Sequence, residues 1–105
     1  MPLVLDIPLS PYAQKIKLAL LEKGVAFQTR IPNVDAPDPE FAAASPRLEV
    51  PALLDEGLAL FDSTIILQYI EERWPEPALL PAAPAERARV RLLEEICDTA
   101  YDAVT

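Results

Sequence analysis

The sequence predicts an α/β fold, a mixed four-stranded sheet with helices on both faces, followed by one long helix of separate character. Three features of its 105 residues carry that prediction. Short apolar runs of strand length alternate with segments whose apolar residues recur at helical spacing. Proline and glycine stand at the joints between them. Apolar residues make up 51% of the chain, enough for a core and too many for a disordered tail.

Leu3-Val4-Leu5-Asp6-Ile7 reads as a short, largely buried strand stopped by Pro8. Ser10-Pro11 then marks a helix start, because Ser is a preferred N-cap and Pro loses no hydrogen bond at the first helical position. That helix is expected to reach about Lys23, with Tyr12, Ile16, Ala19 and Leu20 on one face and Gly24 as its C-terminal glycine. Val25 to Arg30 alternates as a strand does and ends at Pro32. In one sheet, this strand–helix–strand opening is a right-handed parallel crossover.

Pro37, Pro39 and Pro46 leave room only for a short helix around Asp38–Ala44. Pro51-Ala52-Leu53-Leu54 and Leu58-Ala59-Leu60-Phe61 flank Asp55-Glu56-Gly57, which predicts an antiparallel hairpin. After Asp62-Ser63, the residues Ile65, Ile66, Tyr69 and Ile70 fall at helical spacing, and Trp74-Pro75 closes the segment. The order β-α-β-α-β-β-α is an α/β design of the thioredoxin type. Four prolines between Pro75 and Pro84 mark a semi-rigid linker. Beyond it Val90, Leu93, Cys97, Ala100 and Val104 form one stripe, widened by Leu92 and Ile96. The expected organisation is therefore a domain over 1–75, a linker over 76–84, and, over 85–105, the first helix of an all-helical second domain that the chain does not contain. On this reading the chain is a fragment.

Composition excludes much chemistry. The net charge of −8, with 9 Lys+Arg against 17 Asp+Glu, leaves no basic stripe for a nucleic acid. One cysteine and no histidine argue against an internal disulfide, a zinc site or a His-based triad, and suit a reducing cytoplasm. No apolar run approaches the ~18 residues of a membrane span, and Met1-Pro2 does not read as a signal-peptide basic region.

Three places could carry chemistry. Ser10 stands at a strand-to-helix junction, where helix N–H groups favour an anion such as a thiolate and the hydroxyl could donate to a sulfur; its plainer role is helix capping. Val50-Pro51 precedes a strand. Local sequence does not predict a cis bond there, but a cis bond would leave the Val50 backbone open to pair with an extended peptide. At Asp62-Ser63, the hydroxyl and helix N–H groups suit a carboxylate and the Asp suits an ammonium; either residue could simply cap its helix.

In combination and in this order, the segments Ser10-Pro11-Tyr12-Ala13-Gln14-Lys15-Ile16-Lys17-Leu18-Ala19-Leu20, Val50-Pro51-Ala52-Leu53 and Asp62-Ser63-Thr64-Ile65-Ile66-Leu67-Gln68-Tyr69-Ile70 resemble the N-terminal domain of cytosolic glutathione transferases. The resemblance covers residues 3–75 and implies a thioredoxin-like glutathione-binding domain. It places Ser10 as the catalytic serine that hydrogen-bonds the glutathione sulfur, Val50 as the backbone partner of the cysteinyl moiety, and Asp62 and Ser63 as holders of the γ-glutamyl end. It further implies glutathione as co-substrate without metal, a small, largely apolar electrophile as second substrate, and a homodimer. Ser45-Pro46-Arg47-Leu48-Glu49 departs from the family pattern, and Glu49 has the wrong sign for the glycyl carboxylate. A non-catalytic interaction module of the same fold is the alternative. A glutathione-dependent reductase fits less well, because Ser10 and Ala13 stand where such enzymes carry Cys. Cys97 is expected as a buried structural thiol, Lys15 and Lys17 as solvated side chains, and Trp74 and Tyr69 as packing residues. Arg87, Arg89 and Arg91 are expected to face solvent or the second domain.

Overall fold

The computed structural model describes residues 1–7, 10–33, 39–46 and 50–104, leaving aside the side chains of Glu40 and of 101–104. The expectations placed on Pro8, Asp38, Glu49 and the Val104 side chain lie outside the described residues. The elements are β1 (Leu3–Leu5), α1 (Pro11–Glu22), β2 (Gln28–Arg30), α2 (Pro39–Ala44), β3 (Ala52–Asp55), β4 (Leu58–Phe61), α3 (Ser63–Arg73) and α4 (Pro84–Val104). They occur in the expected order and build a thioredoxin-like α/β fold around one sheet.

The four strands run in the order β2-β1-β3-β4. β1 pairs with β2 in parallel and with β3 antiparallel, and β3 pairs with β4 antiparallel. Strand alternation divides the core between the two faces. Val4 and Leu53 point to one face, where they pack with Ile16, Ala19 and Leu20 of α1 and Ile66 and Ile70 of α3. Leu5 and Ala52 point to the other, against Phe41 and Ala44 of α2. Each fully buried Leu or Ile contributes roughly 1.5–3 kcal/mol.

Helix α1 ends as a Schellman motif. Gly24, at φ +70°, lets the Val25 N–H reach the Leu20 carbonyl and its own N–H reach that of Leu21, both at 3.0 Å. Val25 and Phe27 pack on the α1–α3 side of the core. Val25 is thus taken up in ending the helix, and β2 begins at Gln28, three residues later than its alternating pattern suggests. The β3–β4 hairpin turns at Glu56 (φ +48°) and Gly57 (φ +82°); positive φ at both central residues matches the twist of the strands.

Residues 74–83 form neither helix nor strand, yet they are tied down. Leu79 and Leu80 donate their N–H groups to the Glu71 carboxylate at 3.1 and 2.7 Å. Glu71 also pairs with the buried ammonium of Lys23, next to the end of α1. Burial alone would push the Glu71 carboxyl up, but the Lys23 and backbone donors outweigh it and hold it below the usual carboxylate range.

Helix α4 corrects the expected settings of Cys97 and Lys15. Its stripe is uncovered: Leu93 is 62% exposed and Ile96 52%. Cys97, expected to be buried, is a free, exposed thiol for the same reason. The helix instead meets the rest of the molecule through its charged face. Lys15, expected in solvent, pairs with Glu94 at 2.9 Å and Asp98 at 3.0 Å. Lys17 likewise pairs with buried Asp6 at 2.7 Å. Arg87 donates to the Pro81 carbonyl, while Arg89 and Arg91 are exposed as expected. Among the described residues no helix is long and apolar enough to cross a membrane.

Candidate functional site

Strand register gathers the candidate residues. Leu5 of β1 lies opposite Ala52 of β3, and Ala52 lies opposite Phe61 of β4. Where β1 ends, β3 therefore begins and β4 ends. One residue beyond this row stand Asp6, Pro51 and Asp62, so Ser10, whose N–H donates to the Ile7 carbonyl at 2.8 Å, the Val50-Pro51 peptide and the Asp62-Ser63 corner share one end of the sheet.

At α1, Ser10 is the N-cap, extended at φ −72° and ψ 119°. Its Oγ accepts from the Ala13 N–H at 3.3 Å, and its carbonyl accepts from the Gln14 N–H at 3.1 Å. The capping role is thus present. A hydroxyl that accepts one bond keeps its own proton to donate. Ser10 is half-buried.

The Val50-Pro51 bond is cis. Pro51 is buried and Val50 half-buried, packed on the α2 side of the core. β3 starts at Ala52, so the Val50 backbone lies ahead of the ladder.

At α3, Asp62 is the N-cap and its Oδ2 accepts from the Ile65 N–H at 3.2 Å. Its φ of +73° is unusual for a residue other than glycine. Such conformations cost on the order of 1–3 kcal/mol and concentrate at functional sites. The Asp62 carboxylate is exposed, whereas Ser63 is buried at 6%. Helix geometry gives the N–H groups of Ser63 and Thr64 no intrahelical acceptor. The corner therefore presents donors and a carboxylate side by side.

Sequence reasoning missed a network beside these helix starts. Glu94 Oε2 accepts from Lys15 Nζ at 2.9 Å and from Thr64 Oγ1 at 2.8 Å. Lys15 also lies 5.9 Å from the centre of the Tyr12 ring. Burial works to lower the Lys15 pKa, but the hydrogen bonds and charges of Glu94 and Asp98 prevail and raise it above 10.5. The available signal was Glu94 and Asp98 on one face of the last helix, at spacing four. A cavity of about 270 Å³ is lined by Leu67, Leu79, Leu80 and Val90 together with Lys15, Glu71 and Glu94. None of Ser10, Val50, Asp62 and Ser63 lines it.

The opposite end of the sheet is closed by packing and polar contacts. Tyr69 meets Trp74 edge-on, with ring centres 6.2 Å apart, and donates its hydroxyl to Asp55 at 2.5 Å. Burial and the Asp55 carboxylate both raise its pKa. Both aromatic residues thus pack as expected. Among the described residues, no cluster of three or more His, Cys, Asp and Glu side chains could hold a metal ion.

A four-stranded sheet in the order β2-β1-β3-β4, with two helix N-termini and a cis-proline strand entry at one end, defines a thioredoxin-like α/β domain. The family model of the glutathione S-transferase N-terminal domain matches residues 4–78, and the chain belongs to that family. It is 42% identical over 88 residues to a stringent starvation protein A homolog of Coxiella burnetii, covering 82% of this chain and 41% of the relative. It is 44% identical over 88 residues to a glutathione S-transferase of Pseudomonas putida, covering 83% of this chain and 40% of the relative. Among solved structures, a glutathione S-transferase from Methylobacterium radiotolerans in complex with glutathione sulfonate superposes at a TM-score of 0.87. Identity there is 33%, covering 98% of this chain and 49% of that one. The chain thus spans about two fifths of the length of these curated relatives.

Proposed function

We propose that residues 1–75 bind glutathione and that the protein is a glutathione transferase, which delivers the glutathione thiolate to a small, largely apolar electrophile. The observation that carries this is the register row Leu5–Ala52–Phe61, which sets Ser10, Val50 and Asp62-Ser63 at one sheet end. On this reading the Ser63 hydroxyl and the N–H groups of Ser63 and Thr64 hold the γ-glutamyl carboxylate, and Asp62 holds its ammonium. The Val50 backbone pairs with the cysteinyl unit as an added strand would. Ser10 donates its hydroxyl proton to the sulfur, while the N-terminus of α1 favours the thiolate. Residues 76–84 are the linker and 85–105 the opening helix of a helical second domain. The whole protein is a cytoplasmic homodimer, as its resemblance to the family implies.

A second reading, a non-catalytic interaction module, is favoured by the observed capping role of Ser10. One experiment separates the two: calorimetry of glutathione binding, with thiolate absorbance followed against pH in the complex. The bound thiol should titrate below the free value of ~8.5. Ser10→Ala should raise it by about one or two units, the equivalent of one hydrogen bond to a charged group, with Kd nearly unchanged. An unmoved thiol pKa leaves Ser10 as a cap only; absence of binding removes the transferase reading altogether.

A further inference from the structure

Glu94 links the second turn of α1 to the first turn of α3. It comes from α4, 79 residues along the chain from Lys15 and 30 from Thr64, and a single oxygen, Oε2, accepts from both. Lys15 stands in the second turn of α1, beyond the Ser10 cap, and Thr64 is the second residue of α3, next to Ser63. Glu94 is only 17% exposed in its side chain and Lys15 23%, so the pair is shielded enough to hold one geometry. Asp98 secures Lys15 from the following turn of α4, at 3.0 Å.

We infer that Glu94 is a positioning residue: on top of the apolar α1–α3 packing it ties the second turn of α1 to the first turn of α3, and so sets the fine spacing between the subsite for the ligand's sulfur and that for its α-amino-acid end. This rests on the glutathione reading above and adds to it a determinant outside residues 1–75. The physical reason is multivalency. A tripeptide held at the α3 end and, through its thiolate, by the N-terminus of α1, which Ser10→Ala leaves in place, gains from the second contact only if the two subsites sit at the span of the ligand. A ligand that touches one subsite is indifferent to that spacing. Glu94 need not touch the ligand to act.

The Gln variant separates charge from geometry, since its carbonyl oxygen can still accept from Lys15 and Thr64. The test uses the 105-residue chain, its Glu94→Ala, Glu94→Gln and Thr64→Val variants, and two probes. Glutathione spans both subsites; γ-glutamylglycine keeps the contacts at the α3 end and at the Val50 backbone but lacks the thiol side chain, so it does not engage the α1 end. Glu94→Ala should weaken glutathione about tenfold and γ-glutamylglycine less than about twofold, as expected when only the two-point gain is lost. Glu94→Gln should stay within about threefold of the parent, and Thr64→Val should fall between the two. Hydrogen exchange of the Ala13 and Ile65 amides, which Ser10 and Asp62 cap, supplies a readout without ligand. Both should exchange at least about fivefold faster in Glu94→Ala while the Leu53 amide in β3 does not change. Equal weakening of the two probes, or unmoved Ala13 and Ile65 amides, overturns the inference. If the parent chain binds no glutathione, the functional reading falls, and the amides alone decide whether Glu94 braces the two helices.

Discussion

Helix α3 reaches α1 through Ile66 and Ile70, both fully buried against Ile16 and Leu20, whereas α4 reaches it through Glu94 and Asp98 on Lys15. The first contact is apolar and close-packed. The second is ionic and partly wet, while Leu92, Leu93 and Ile96 of α4 stay exposed. Burial of hydrocarbon is insensitive to salt and pH, while ion pairs near the surface contribute little and are screened. The sheet and α3 therefore form the stable body of the molecule, and α4 is held to it by contacts that solution conditions can loosen.

The comparison is broken most forcefully at Glu71, the buried charge on α3 that pairs with Lys23. Removing one partner of a buried, hydrogen-bonded pair leaves the other charge uncompensated. Glu71→Ala should cost about 4 kcal/mol in urea unfolding. A loss below about 1 kcal/mol would mean that Lys23 finds water instead. Acid acts on the same group. The folded pKa of Glu71 lies below its unfolded value of 4.5, so its contribution is present above that pH and drains away as pH falls through the folded value.

The apolar contrast comes next. Ile66→Ala opens a cavity in the core and should cost about 3 kcal/mol, while Leu93→Ala on the uncovered stripe should change stability by less than about 0.5 kcal/mol. Equal losses would place Leu93 in a packed interface. A smaller effect sharpens the role of the α3 start. Asn keeps the cap and tolerates the positive φ of Asp62, so Asp62→Asn removes only the charge. Glutathione should then bind about tenfold more weakly, roughly 1.4 kcal/mol, and an analogue lacking the α-ammonium should lose less. Equal losses in calorimetry would assign Asp62 to helix structure alone.

Smallest is the Lys15 contribution, under about 1 kcal/mol for a partly exposed pair. Its folded pKa is raised above 10.5, so the contribution is complete below that pH and is lost as pH rises through the higher folded value. Lys15→Met should be less stable than the parent near neutrality, and the difference should vanish in alkali. A gap that persists above the folded value would mean that the stem of Lys15, not its charge, does the holding.

What could be read in the sequence follows the same division between local and distant causes. Ser10-Pro11, Gly24 and Asp55-Glu56-Gly57 announce a helix start, a helix stop and a hairpin through their own backbone preferences, and each element appears there. The start of β2 lies later than the sequence pattern because Val25, strand-like in isolation, completes the end of α1. The cis bond at Val50-Pro51 was not legible, since the surrounding fold and not the dipeptide selects it. The capping roles of Ser10 and Asp62 were visible, but the partners of Lys15 were not. They lie on a helix about eighty residues away, and helical periodicity says which residues share a face without saying what that face meets. The exposure of Cys97 follows from the same gap: its stripe was legible, its orientation was not.

The uncovered stripe of α4 also gives the acidic composition a colloidal role. Copies carrying a net charge of −8 repel one another, and at 0.1 M salt that repulsion extends over a Debye length of ~10 Å. At 1 M salt the length shrinks to ~3 Å, less than the width of a side-chain layer, and Leu92, Leu93 and Ile96 on one copy can then approach apolar surface on another. Salt therefore acts on this molecule in two opposing ways: it loosens α4 from its own body and removes the barrier that keeps α4 apart from other copies.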